Sequence, residues 1–334
     1  MPKLVLPGMK GMEFFRDPVN GIANADRRFI PALLWRSIML QRSNPVRSKH
    51  GLRSLLICLL LLFPWPAYPA DEASSTEGVL FLPPGDLYPS YIADPHRVGF
   101  GVQWLGFTDT GIPDSGSHRV ALRAGGRFGI IRAGSYGTGG AEWQLNVEGG
   151  FNAEFDVDHS LDNIGWDGRY GLVVTTARSR SLAFKFGVLH VSSHVGDEYM
   201  ERTGRTRIGY TRHELAAGVS RAIGEQWRTY AEAGWGYQFG NDALMKPGRG
   251  QAGLEYESCR GTQEDCIGWY GALDLSSMEE RNWRLDTALQ AGLVARKGER
   301  TWRIGIEWYH GRPPIGEFFQ YTESYISLGI WLDV

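Results

Sequence analysis

The chain has 334 residues, a formal net charge of −2 and 44 glycines, near twice the usual glycine share of about 7%. No polybasic surface can dominate at that charge, which argues against a nucleic-acid partner. The length by itself allows one large domain or two small ones.

Arg42, Arg47, Lys49 and Arg53 precede an unbroken apolar run from Leu55 to Phe63, followed by Pro64, Pro66 and the small Ala70 ahead of Asp71. Basic, apolar and cleavable segments in that order read as a secretory signal peptide over 39–70, and hence as Sec-type export. The apolar run is too short to cross a bilayer, which takes roughly 20 helical residues. We place cleavage after Ala70, with Ala67 as the alternative because Tyr68 is unfavourable two residues before Ala70. Cys58 lies inside the apolar core behind Ile57, which argues against a lipoprotein site. Residues 1–38 read as an extension from an early start, since Met39 already opens an export signal; a genuine long extension is the alternative.

After export, residues 71–96 are expected to form an N-terminal periplasmic segment, and from 97 onward the dominant signal is period two. In 142–155, Trp143, Leu145, Val147, Phe151 and Phe155 alternate with Glu142, Gln144, Asn146, Glu148, Asn152 and Glu154. In 301–309, Trp302, Ile304, Ile306 and Trp308 alternate with Arg303, Gly305, Glu307 and Tyr309. Alternation puts one set on each face of a strand. In a soluble sandwich the apolar face would be the core; in a membrane barrel it meets lipid while the polar face fills the lumen. Such segments recur at 97–107, 119–133, 142–155, 166–177, 181–192, 207–220, 225–238, 248–257, 266–274, 282–295, 300–310 and 322–334. Each is near or beyond the 9–11 residues a tilted spanning strand needs. Short connectors at 178–180, 221–224 and 296–299 are expected on the periplasmic side, and longer ones at 108–118, 156–165, 193–206 and 311–321 outside. The expected fold is therefore all-β, a transmembrane antiparallel up-and-down β-barrel of about 12 strands over 97–334, in a Gram-negative outer membrane.

Cys259 and Cys266 are the cysteines left after the signal peptide, and in an exported chain they are expected to close a small disulfide loop beside a periplasmic turn. Zinc would need more His or Cys nearby, and the sequence has none there. At the C-terminus, Ser327, Gly329, Leu332 and Val334 resemble the final-strand signal read by the barrel assembly machinery, with valine where phenylalanine is usual. That machinery is thus an expected partner.

Inward parity gives Arg119, Arg123 and Arg127 on one strand and Glu142, Glu148 and Glu154 on the next, a ladder of charge pairs. Lys185, Arg228, Glu232, Arg284, Asp286, Arg303 and Glu307 add to it, so the lumen should be filled by side chains. A narrow charge-lined channel is the alternative. Outward Trp104, Trp143, Trp166, Trp227, Trp235 and Trp308 read as an interface girdle in contact with outer-membrane lipid.

Leu182, Phe184, Phe186 and Val188 share outward parity with His190 and Ser192. Residues two apart on a strand stand roughly 6.6 Å apart, so an imidazole at 190 can reach a hydroxyl at 192 as general base to nucleophile. The plainer reading is two interfacial residues ending a strand. His190, Val191 and Ser192, followed by Asp197 and by Arg207 to Arg212, resemble the outer-membrane phospholipase A family and, less closely, the lipid A deacylases. The resemblance implies a lipid acyl hydrolase in which Ser192 attacks, His190 moves the proton and Asp197 ligates Ca²⁺. The sequence departs from that family where an Asn should orient the histidine: Arg207 or Gly204 stands there, Glu214 has inward parity and Glu201 falls in the loop. His194 stands where a glycine is expected. Asp197, Glu198 and Glu201 with Arg202, Arg205 and Arg207 also read as a solvated loop that pairs with itself or with lipopolysaccharide phosphates.

Over a longer span, Phe81 to Tyr91, Ser192 to Glu198 (with Ser193, His194, Gly196 and Glu198 as a loop motif) and His310 to Pro314 resemble an uncharacterised family of exported proteins known only as domain of unknown function 1207. That resemblance implies no activity. The expected function is a non-catalytic scaffold or a narrow, side-chain-filled channel, with the Ca²⁺-dependent acyl hydrolase as the alternative.

Overall fold

Alternation of apolar and polar residues does produce strands, and their pairing closes on itself. The computed structural model describes residues 78–134, 142–179, 181–260, 265–298 and 300–333; the extension, the signal peptide with Cys58 and its cleavage site, and Val334 lie outside them. Among the described residues the strands are β1 (Gly78–Phe81), β2 (Phe100–Thr110), β3 (His118–Gly134), β4 (Glu142–Asp156), β5 (Asp162–Ser179), β6 (Leu182–Val195), β7 (Thr211–Ile223), β8 (Trp227–Phe239), β9 (Gly248–Glu257), β10 (Cys266–Met278), β11 (Leu285–Lys297), β12 (Arg300–Gly311) and β13 (Glu323–Asp333). From β2 to β13 each strand pairs antiparallel with its neighbour in sequence, and β13 returns to β2, as in Leu328 opposite Trp104. The result is a twelve-stranded up-and-down barrel. Short β1 lies on the part of β3 that β2 does not reach, with Leu80 opposite Arg132.

Connectors 180–181, 224–226 and 298–299 are short and define a turn end, whereas 196–210 and 312–322 are long and define a loop end. The 196–210 connector carries the helix α1 (Asp197–Thr203). No helix among the described residues is long and apolar enough to cross a membrane. Outward tryptophans 104, 143, 166, 227, 235 and 308 are all exposed, as are Ile304, Ile306, Leu328 and Ile330. An exposed apolar belt of that extent is stable facing lipid and unfavourable facing water.

Several of the inward charges are paired. Arg119 meets Glu154 at 3.0 Å and Glu323 at 2.7 Å, Arg127 meets Glu148 at 3.0 Å, and Lys185 meets Glu232 at 2.5 Å. Arg284 corrects the expected set: it is exposed and lies before β11 begins. Asn282 and Trp283 take φ of 56° and 58°, and this left-handed pair turns the chain and ends the alternation before the strand starts.

A larger difference concerns the segment ahead of the barrel. Expected as a periplasmic stretch over 71–96, its described part from about 84 to 97 runs inside the lumen, with Tyr88, Tyr91, Ile92 and Ala93 all buried. The physical cause is donor supply. An irregular backbone taken from water needs a partner for each carbonyl, and inward arginines provide them. Arg132 donates to the carbonyls of Pro84 and Gly85, Arg127 to that of Tyr88, and Arg228 to those of Pro89 and Ser90. Part of what reads in sequence as a strand-to-strand ladder is thus a receptor for this plug. A cavity of about 560 Å³ lies beside it, bounded by Asp86, Ser90, Ile92, Arg228, Glu257 and Arg303.

At the loop end the last connector folds inward, and residues 311–319 are buried throughout. Ile315 and Phe318 pack with Ile112, Ile164, Val195 and Tyr199.

Cys259 and Cys266 are disulfide-bonded across the β9–β10 connection. Reducing this bond, or replacing both cysteines with serine, is expected to lower unfolding free energy by about 2–3 kcal/mol. Urea titration in detergent checks this; an unchanged midpoint would show that the bond contributes nothing.

Candidate functional site

On the outer surface towards the loop end, β6 presents His190, Ser192 and His194 on one face, because alternate residues point the same way. Register fixes their neighbours. On β5, Tyr170 lies opposite His190, Gly168 opposite Ser192 and Trp166 opposite His194. On β7, His213 lies opposite His190 and Thr211 opposite Ser192. Trp166 stacks on His194 with ring centres 4.1 Å apart, and Tyr170 stacks on His190 at 4.4 Å. Gly168 leaves a notch between those two stacks, where an added Cβ would come within 3.3 Å of the Trp166 ring.

The expected His190–Ser192 pair shares a face but not a hydrogen bond. Ser192 Oγ is 3.0 Å from His194 Nε2. His190 turns to His213 instead, with ring nitrogens 3.3–3.4 Å apart. Among the described residues no carboxylate forms an ion pair with His190, His194 or His213. Glu214 faces inward and binds Arg212 and Arg249 at 2.7 and 2.6 Å, so it cannot orient an outward imidazole.

Asp197 is the first residue of α1, and its exposed carboxylate meets Arg207 at 3.3 Å. Calcium takes six to eight oxygen ligands. One carboxylate already facing a guanidinium does not fit that demand, and no group of three metal-ligating side chains exists among the described residues. The residues around Ser192 therefore do not fit a Ca²⁺ site.

The loop motif closes the barrel. Ser193 Oγ accepts the Glu317 N–H at 2.8 Å. The Glu317 carboxylate in turn accepts the N–H groups of Ile208, Gly209 and Tyr210 at 2.8–3.0 Å. Gly196 lies against the Asn163 carbonyl, so close that an added Cβ would fall 1.7 Å from it. Glu198 is exposed on α1. In the 310–314 motif, buried Arg312 donates its N–H to Asp286 at 2.9 Å while its carbonyl accepts the Tyr309 hydroxyl. Nearby, burial pushes Glu280 above the usual carboxylate range, against the opposing pull of Arg312 and Arg212. Ser193 and Val195 thus meet Glu317 and Ile315 of the last connector at the loop end.

The family described as "Protein of unknown function (DUF1207)" matches residues 70–333. The chain belongs to that family. No curated protein matches this DUF1207 chain. Among solved structures it is similar to outer membrane phospholipase A from Escherichia coli, at 10% identity and a TM-score of 0.51, covering 71% of this chain and 92% of that one. It is also similar to the Salmonella typhi outer membrane phospholipase dimer with bound calcium, at 12% identity and a TM-score of 0.52, covering 74% and 95%. Identity that low shows a shared barrel fold. It carries no residue roles across.

Parity alone found the face that holds His190 and Ser192. His194 stands where the resemblance to outer-membrane phospholipase A calls for a glycine, while Tyr170 and His213 needed the register of two further strands. Glu317 had no sequence signal, being one acid in a long connector.

Proposed function

We propose that this DUF1207 protein is an outer-membrane barrel closed to solute, exported through the Sec route and acting as a scaffold through its ends and lipid-facing surface. The supporting observation is the filled lumen: residues 84–97 are held from within by Arg127, Arg132 and Arg228, and residues 311–319 are buried at the other end. The exposed apolar belt and tryptophan girdle support membrane residence. Loops at the far end, with Arg202, Arg205 and Arg207, would meet lipopolysaccharide phosphates, and the final strand would be read by the barrel assembly machinery. Liposomes carrying the purified protein should not swell in small neutral sugars. Swelling at porin-like rates would reject the closed-scaffold reading.

The Ser192–His194 contact favours a second reading, an interfacial acyl hydrolase. There His194 would accept the Ser192 proton as Oγ attacks an ester carbonyl, then return it to the departing alcohol, and water would release the acyl group. Among the described residues no carboxylate orients His194, which argues for weak catalysis. Purified protein is expected to release no more fatty acid from mixed phospholipid micelles than the Ser192→Ala variant does, with or without Ca²⁺. A clear excess for wild type, lost in both Ser192→Ala and His194→Ala, would establish the hydrolase.

A further inference from the structure

Between the plug and the buried last connector lies an internal cavity of about 100 Å³. Its wall carries seven cationic side chains and four carboxylates. Three of those carboxylates are already committed: Glu148 to Arg127, Glu214 to Arg212 and Arg249, and Glu232 to Lys185 and Arg249. Arg169 makes no hydrogen bond and no ion pair within 4 Å among the described residues, the charges of Asp94 and Asp167 reaching it only from farther off, and its Nε is buried. Arg312 reaches its nearest carboxylate, Asp286, at only 3.8 Å, and that acid also serves Arg281 at 3.3 Å. The Nε of Arg312 and Nε2 of His96 are buried without a hydrogen-bond partner, and both side chains are at least nine-tenths buried. Buried donors left without a hydrogen bond are costly unless something with acceptor oxygens meets them.

We propose that this cavity binds one small tetrahedral oxyanion, held by Arg169 and Arg312, and that it selects hydrogen phosphate over sulfate. Guanidinium groups donate in a fork that matches such oxygens. Selection comes from Asp94, the remaining wall carboxylate, whose Oδ1 accepts the His96 N–H at 2.8 Å. An ionised carboxylate only accepts hydrogen bonds. A ligand oxygen facing it must carry a proton, which hydrogen phosphate does at neutral pH and sulfate does not. The ligand would lock the plug, which supplies Asp94 and His96, to the last connector, which supplies Arg312. A lipid headgroup with its chains cannot enter a cavity of this size, so the source is a free ion.

The full mature barrel is refolded in detergent with inorganic phosphate or with sulfate, freed of excess anion, then denatured and assayed for retained ion. About one phosphate per chain, little sulfate, and a more than tenfold weaker hold in Arg169→Gln are expected. Asp94→Asn should bring sulfate retention up towards that of phosphate, a change that mere loss of stability would not produce. Heat-modifiable migration on gels confirms that each variant has folded. No retained phosphate in wild type, or equal retention of both ions by wild type and Asp94→Asn, overturns the proposal.

Discussion

Replacing Arg119 with methionine is expected to cost about 3–5 kcal/mol of stability, the usual range when one partner of a buried ion pair is removed. Arg119 is fully buried and lies on β3 between Glu154 of β4 and Glu323 of β13. Its Nη2 also donates to Thr110 at 2.9 Å and Ser115 at 2.7 Å, and its guanidinium sits 4.0 Å over the Phe107 ring. Methionine fills much of the same volume but leaves two carboxylates facing each other without a cation. Adding Glu323→Gln to Arg119→Met should recover part of the loss, because the second change removes one orphaned charge. Urea titration of the refolded barrel measures both effects. A single variant within about 0.5 kcal/mol of wild type, the range of neutral surface substitutions, would show that this triad does not hold the loop end together.

Tyr91→Ala is expected to loosen the plug. The Tyr91 ring stacks on Tyr230 at 3.7 Å, its hydroxyl bonds to Glu232 and to the Tyr88 hydroxyl at 2.7 Å each, and Lys185 Nζ lies 4.7 Å over its face. Truncating a buried aromatic to alanine costs about 3–5 kcal/mol, and here most of the loss falls on plug docking because Tyr91 belongs to no strand. The barrel ladder from β2 to β13 stays intact. The variant should therefore keep heat-modifiable migration while becoming permeable to small ions in bursts. An unfolded barrel would show that the plug is needed to assemble the wall, and a folded but still sealed one would show that Tyr91 does not hold it.

Strand existence was legible because lipid outside and charge inside both enforce alternation, as in β4 and β12. Strand ends were less so. The expected start at 207 misses because the amides of Ile208, Gly209 and Tyr210 bind Glu317 rather than a neighbouring strand. The expected start at 97 misses because Arg97 reaches across to Asp333 from the plug. Parity says which side chains enter the lumen, but not that Arg127 and Arg228 spend donors on the carbonyls of an N-terminal segment. That segment shows no periodicity of its own. The candidate site divides the same way: one strand's spacing gave the face of His190 and Ser192, while the choice of His194 as partner depends on Trp166, Tyr170 and His213 from two other strands.

The closed lumen is tested most directly by planar-bilayer recording of the wild-type mature barrel at high salt. A sealed baseline across applied voltages is expected, with current appearing in the Tyr91→Ala variant measured under the same conditions. Steady open-channel steps from wild type would rule out the closed lumen, because ions would then be crossing between the wall and residues 84–97 and 311–319.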